Sequence, residues 1–267
     1  MGDVDANLEK VRSFQLRSKE QGAELVIFPE LTLSGYTLGT EIGRYALSNS
    51  HPIFQKLLDF SKTLPMIIGY VERSPRGRIY NAAALLDSGQ TVHIHRKVYL
   101  PNYGLWEEQK HFAKGRRIDV FPYKGFRFAI FICNDFWYPS MGHLAASDDA
   151  DVFVIIANSA LDTEGMHPRA WDILIRTPAL FYGAYVIFAN RVGSEHGWSF
   201  WGGSTVVAPA ALSAIVAETG EEIIHSILDY KAVEQARDAL PILKDMDIEF
   251  TVRELKRVNE RHLSEND

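Results

Sequence analysis

Glu30 follows "ELVIFP", Lys97 follows "TVHIHR", and Cys133, the only cysteine, follows "FAIFI". Each lead-in predicts a strand. A carboxylate, an ammonium and a thiol therefore all fall at strand ends, the rim where open α/β sheets collect reactive groups. The three types are chemically complementary. A free thiol has a pKa of about 8.5 and attacks as its thiolate. A carboxylate within hydrogen-bond reach can take the proton as the sulfur attacks a carbonyl. The carbonyl oxygen then turns negative and needs a donor or cation already in place, worth roughly 3 kcal/mol per group. Singly, each residue also has an ordinary reading: a turn glutamate, a solvated lysine, a cysteine packed as a small hydrophobe. Their common placement favours chemistry.

The elements that must position them alternate along the chain. "DANLEKVRSFQLRSKEQGA" has helical apolar spacing through Leu8, Val11 and Phe14, and "ELVIFPE" is a short strand stopped by Pro29. "HPIFQKLLDFSKTL" predicts a helix and "MIIGYVE" a strand. "RIYNAAALLD" and "TVHIHRK" flank Ser88-Gly89-Gln90 as a hairpin, and "RIDVFPYKGFRFAIFI" forms a second one, turning near Lys124-Gly125. Beyond Cys133 come a short helix in "SMGHLAASDDA", a strand in "DVFVIIAN", a helix in "MHPRAWDILIRTPALFYGA" and a strand in "YVIFANRVG". "STVVAPAALSAIVAETGEEIIHSILD" reads as strand-rich and "YKAVEQARDAL" as a closing helix. Hairpins mixed with crossovers predict layered α/β with mixed sheets. No repeat, low-complexity stretch or Gly/Ser linker marks a boundary, so residues 1–267 are read as one domain.

Composition removes several classes of function. Lys+Arg 28 against Asp+Glu 34, a formal charge of -6, leaves no cationic surplus for nucleic acid. No apolar run reaches the roughly 18 residues of a membrane span, and "MGDVDANLEK" has neither the basic nor the apolar part of a signal peptide. A cytoplasmic location is the expectation. Ala6 stands where a myristoylation signal needs Ser or Thr. One cysteine cannot form an internal disulfide, so 267 residues at 46% hydrophobic content must be held by packing.

The blocks "LVIFPELTLSGY", "HRKVYLPNYGLWEEQKHFAKG" and "FICNDFWYP" resemble the three catalytic blocks of the nitrilase superfamily of carbon–nitrogen hydrolases, in the family's order. "NRVG" and "WGGSTVVAP" resemble its later segments, so the resemblance covers nearly the whole chain. It implies an α-β-β-α sandwich of two mixed β-sheets flanked by helices, with Glu30 as general base, Lys97 as oxyanion stabiliser and Cys133 as nucleophile. The family's second glutamate, in a "YGxFDE" pattern, falls on Glu108 of "YGLWEE"; Glu107 takes the place of the usual aspartate and is the lesser candidate. Asn134 is implied as the donor of a backbone N–H to the oxyanion. Trp137 and Tyr138 are candidates for the substrate pocket wall, or for plain packing.

The reaction so implied is hydrolysis of a small-molecule amide through a thioester, releasing ammonia or an amine, with no metal or organic cofactor. True nitrilases carry "CWE" where this chain has "CNDFWYP", which favours an amide over a nitrile. Nitrile or N-carbamoyl hydrolysis, and a catalytically silent binding protein of the same fold, are the alternatives. Glutamine-amidase domains share much of "KVYLPNYGLWEE"; without a synthetase-like domain in 267 residues, a free-standing amidase is expected. Outside the family, a Cys-His hydrolase with His143 or His196 as base is the competing scheme.

Other features have ordinary readings. His93 and His95 share one face of a strand, but two histidines without a third ligand predict no metal site, and strand-end histidines are expected at the surface. "WGGS" lacks the Lys and helix of a phosphate loop, and "SDDAD" is a solvated loop or cap. Phe181 and Tyr182 replace a Glu-Asn pair usual in the family. The apolar density of Trp171, Leu174, Phe181 and Tyr182, with the family habit of pairing there, predicts at least a homodimer through the helices after Cys133 and from His167 to Gly183, although bundled core packing explains much of that density equally well. The family opens with a short strand before a turn like "MGDVDAN", so the strand beside "ELVIFPE" is expected to be absent.

Overall fold

The computed structural model describes residues 2–103, 106–161, 166–211, 213–218 and 220–265. Gly104 and Leu105 of "YGLWEE", and Leu212 and Thr219 of the strand-rich stretch, lie outside them. Helix α1 (Val4–Glu20) starts where the Asp3 carboxylate accepts the Ala6 N–H at 3.0 Å, a side-chain cap for an otherwise orphaned donor. Helix α2 (Pro52–Ser61) begins with a proline, whose missing N–H costs nothing in the first turn. Both lie on a sheet of β1 (Val26–Ile27), β2 (Met66–Arg73), β3 (Ile79–Asp87) and β4 (Gln90–Arg96), in that spatial order. Leu8, Val11, Phe54 and Leu57 of the helices bury against Met66, Ile68, Tyr70 and Leu86.

The second sheet has the order β12-β11-β8-β7-β6-β5. Its strands are β5 (Val120–Tyr123), β6 (Phe126–Ile132), β7 (Val152–Ala157), β8 (Tyr185–Asn190), β11 (Thr205–Val207) and β12 (Ala214–Val216); β9 (Val192–Glu195) and β10 (Trp198–Trp201) form a separate hairpin. Helices α3 (Pro139–Ser147) and α4 (Met166–Phe181) supply its outer cover. Period-2 alternation decides the layers. Ile130, Ile132, Val154 and Ile156 point inward to Ile67, Ala83 and Leu85 of the first sheet, while Phe131, Phe153 and Ile155 point outward to Met141, Ala145, Trp171 and Ile175. Strands covered on both faces read as unbroken apolar runs. The result is an α-β-β-α sandwich of mixed sheets, as the sequence implies.

Five expectations need correction. "ELVIFPE" yields only two strand residues, because the chain leaves the ladder to lay Pro29–Leu31 across Gly69 of β2. The strand-rich stretch holds only β11 and β12, and residues 220–229 run without regular structure. Helix α5 (Tyr230–Ala239) is followed by α6 (Ile248–Glu265), which the sequence reading left unassigned although Ile248, Val252 and Leu255 recur at helical spacing. His95 is buried at 3% exposure instead of lying at the surface, because its ring nitrogen bonds the buried Asp135 carboxylate. Trp171 likewise belongs to the core, stacked on Phe188 with ring centroids 4.6 Å apart, so it cannot serve a contact between copies. Among the described residues no helix is long and apolar enough to cross a membrane.

Candidate active site

Each predicted residue is set in place by a backbone device. Glu30 lies in the turn after β1, where the Thr32 N–H donates to the Gly69 carbonyl at 2.9 Å. A Cβ on Gly69 would come within 2.7 Å of the Glu30 Cα, so only glycine lets this turn lie flat on β2. Lys97 follows β4 directly; its N–H donates to the Asn81 carbonyl at 2.9 Å and its carbonyl accepts from Gly115 at 2.7 Å. Cys133 follows β6 with a φ of 45°, a left-handed turn rare for a side-chain-bearing residue and typical of functional sites.

These devices bring three buried charges together. The Lys97 Nζ donates to Glu30 Oε1 at 2.8 Å and to Glu108 Oε1 at 2.7 Å. Glu30 Oε1 also accepts from Asn81 Nδ2 at 2.7 Å, and Oε2 from the Asn158 N–H at 2.8 Å. The Tyr36 hydroxyl donates to Glu108 Oε1 at 2.5 Å. Glu107 is exposed and pairs with Lys110 instead, so it is Glu108 that faces the ammonium.

The electrostatics follow from burial. Cys133 is partly exposed, yet burial of its sulfur, and then the Glu30 charge, push the thiol well above its ordinary range, against the pull of Lys97. A thiol raised in this way calls for a base. Burial alone would lower Lys97, but the Glu108 and Glu30 charges outweigh it and keep the ammonium charged. Burial raises Glu108 to about 7, with Lys97 opposing. An ammonium has three N–H groups; two are engaged by carboxylates, which leaves one for a developing oxyanion.

The remaining sequence candidates divide. Asn134 is buried and its side chain donates to the Tyr99 carbonyl at 3.0 Å. Tyr138 stacks on Tyr99 at the rim, centroids 3.6 Å apart. Trp137 packs edge-on against Trp171 at 5.6 Å and His167 at 5.9 Å, in the helix-side core. The charges acting on Cys133 come from Glu30, Lys97 and Glu108, with neither His143 nor His196 among them, and His196 is exposed in the β9–β10 turn. His93 stacks on Phe121 at 4.2 Å.

Asn81, Tyr36 and Asn158 escaped the sequence reading. Asn81 left a signal as the one polar residue inside the apolar run "IYNAAALL". Asn158 sits at the end of "DVFVIIAN", the same strand-end rule that picked out Glu30, Lys97 and Cys133. Tyr36 left none.

Two stacked sheets between helices, with a thiol, an ammonium and two carboxylates at the strand ends, define the class of protein. Residues 1–238 match the carbon-nitrogen hydrolase family, and the chain belongs to it, within the nitrilase superfamily. It is 28% identical over 239 residues to the glutamine-dependent NAD(+) synthetase of Acinetobacter baylyi, covering 89% of this chain and 43% of that protein. The chain thus spans less than half the length of that relative. Among solved structures, Nit3 of Saccharomyces cerevisiae, a member of branch 10 of the nitrilase superfamily, is similar at 26% identity and a TM-score of 0.80, covering 91% of this chain and 90% of its own. An amidase of Nesterenkonia sp. AN1 is similar at 27% identity and a TM-score of 0.71, covering 82% and 83%. Its glutamate-to-glutamine mutant carries the acetamide moiety of fluoroacetamide covalently at the active-site cysteine.

Proposed function

We propose that the protein hydrolyses a non-peptide carbon–nitrogen bond, an amide by preference, through a thioester on Cys133. The observation that carries this is the buried Glu30–Lys97–Glu108 cluster, whose charges act on Cys133. The Cys133 sulfur bonds to the amide carbon while its proton passes to Glu30, and the carbonyl electron pair moves onto oxygen beside the free Lys97 N–H. The Asn134 N–H is the second donor in this scheme. Collapse breaks the C–N bond, and Glu30 returns its proton to the leaving nitrogen. Water then attacks the thioester, again giving its proton to Glu30, with Glu108 aligning it, and the thiol is regenerated as the acid leaves. The amidase and glutamine-dependent relatives support a carboxamide substrate.

The test is ammonia release across a panel of amides, glutamine, N-carbamoyl amino acids and nitriles, with Cys133→Ala as control. Turnover on an amide that falls below detection in the variant, at unchanged melting temperature, is the expected result. Near-native rates in Cys133→Ala would sink the mechanism.

A further inference from the structure

Asp135 is fully buried two residues beyond Cys133, and its carboxylate touches neither Glu30 nor Lys97. Its Oδ1 accepts the N–H groups of Val98 and Tyr99, both at 2.9 Å. Its Oδ2 accepts the Ile132 N–H at 3.1 Å and meets His95 Nε2 at 2.8 Å. An ionised carboxylate only accepts, so His95 donates from Nε2. One side chain thus ties the two backbone steps after Lys97, and the strand residue two before it, to the residue preceding Cys133. That residue leads into the left-handed φ of 45° at Cys133, a conformation that persists only where its surroundings impose it.

We infer that Asp135 is a positioning residue that fixes the Lys97 backbone against the Cys133 turn, with His95 as the donor that fixes Asp135. The inference rests on the reading of Lys97 and Cys133 as reacting partners. Asp135 moves no proton in the reaction; it sets the distance between ammonium and sulfur. A misplacement of about 1 Å between reacting groups costs roughly 100-fold in rate.

Asp135→Asn keeps the shape but turns a donor toward the Ile132 N–H. The expected result is a loss of roughly 100-fold in kcat with KM within about threefold, and a comparable loss in the rate of Cys133 alkylation by iodoacetamide. Because this variant can fail to fold, His95→Leu and His95→Gln form a second test. Leu removes the donor and should lower kcat and alkylation by about 10-fold, while Gln, which can still donate, should recover most of that loss. A folded Asp135→Asn with wild-type alkylation and kcat, or a His95→Leu indistinguishable from His95→Gln, would overturn the assignment. Alkylation needs no substrate, so a wild-type chain silent on every amide would remove the proposed function and leave this test standing.

Discussion

Gly115 donates its N–H to the Lys97 carbonyl at 2.7 Å, and a Cβ on Gly115 would lie 1.9 Å from the Arg96 carbonyl oxygen. Backbone meets backbone there, so no side-chain rotation relieves the clash. Gly115→Ala is therefore expected to push the Lys97 segment away from Asn81, to cost about 1–3 kcal/mol of stability as overpacking does, and to lower kcat more than it raises KM. Steady-state kinetics beside a thermal melt checks this. An alanine variant with wild-type kcat would show that the close approach is irrelevant to the site.

How much of this was legible beforehand depends on the kind of signal. Glu30, Lys97 and Cys133 were found because a reactive residue directly behind a predicted strand is visible in one dimension. Asn81 and Tyr36 join the cluster only through hydrogen bonds across 51 and 72 residues of chain, to Glu30 and Glu108 respectively, and pattern reading has no access to those. Strand pairs and helices of the two-sided core were readable from continuous hydrophobicity. The β9–β10 hairpin was not, since "VGSEHGWSFW" mixes glycine, charge and aromatics without a period. Trp171 misled for the opposite reason, because apolar density on a helix looks the same in a core as in an interface.

Glu108 provides a pH signature with a definite sign. Its carboxyl is raised from 4.5 to about 7, chiefly by burial. Between those values the folded chain holds a proton that the unfolded chain has released. This group's contribution to stability is therefore present below the unfolded value and lost as pH rises through about 7. Glu108→Gln cannot ionise, so its melting temperature relative to wild type should improve from about pH 5 to about pH 8. Activity should run the other way. In the proposed reaction the ionised carboxylate is the working form, so wild-type kcat should fall as pH drops through about 7, and the Gln variant should be slower throughout. A melting difference that is flat with pH would count against the buried, raised carboxyl.

Lys97 is the only cation hydrogen-bonded to Glu30 and Glu108 among the described residues. Lys97→Met would leave both carboxylates buried without it. Breaking a buried pair in this way costs roughly 3–5 kcal/mol, so denaturant melts should show a loss of that order and no detectable amide turnover. A variant as stable as wild type would mean that the two carboxylates share a proton and that the ammonium is not what holds them.

With Trp171 assigned to the core, the outer face of α4 still presents Ile173 at 66% exposure together with Leu180 and Phe181, and α3 presents Leu144 in the same layer. A second copy of the chain is the occupant expected for this face. Sedimentation at micromolar concentration should show a dimer or larger species, and Ile173→Glu with Phe181→Glu should shift it to monomer while Cys133 alkylation persists. A wild-type monomer would dismiss the pairing.

The last prediction concerns the edge of the first sheet. β1 is an edge strand paired with β2, and Leu25–Phe28 and Ile223–Leu228 are among the residues that line a cavity of about 1150 Å³. Among the described residues, Ile223–Leu228 make no backbone-to-backbone hydrogen bond, and Ile227 is 91% exposed. The Gly2 N–H donates to the Ser34 carbonyl at 3.1 Å, which sets the start of α1 beyond the exit of β1; α1 then returns to the entrance of β1. A strand joined ahead of Gly2 would therefore run parallel to β1 through the crossover geometry that parallel strands adopt. Grafting about six apolar residues there should add several ladder bonds, each worth roughly 1 kcal/mol net. A total near 3 kcal/mol corresponds to a rise in Tm on the order of 10 °C. Glu30 lies three residues past β1, so a steadier β1 should also raise turnover in the proposed reaction. Melting curves and initial rates of the extended and original chains decide it: no gain in either would show that a strand grafted there adds nothing to the fold.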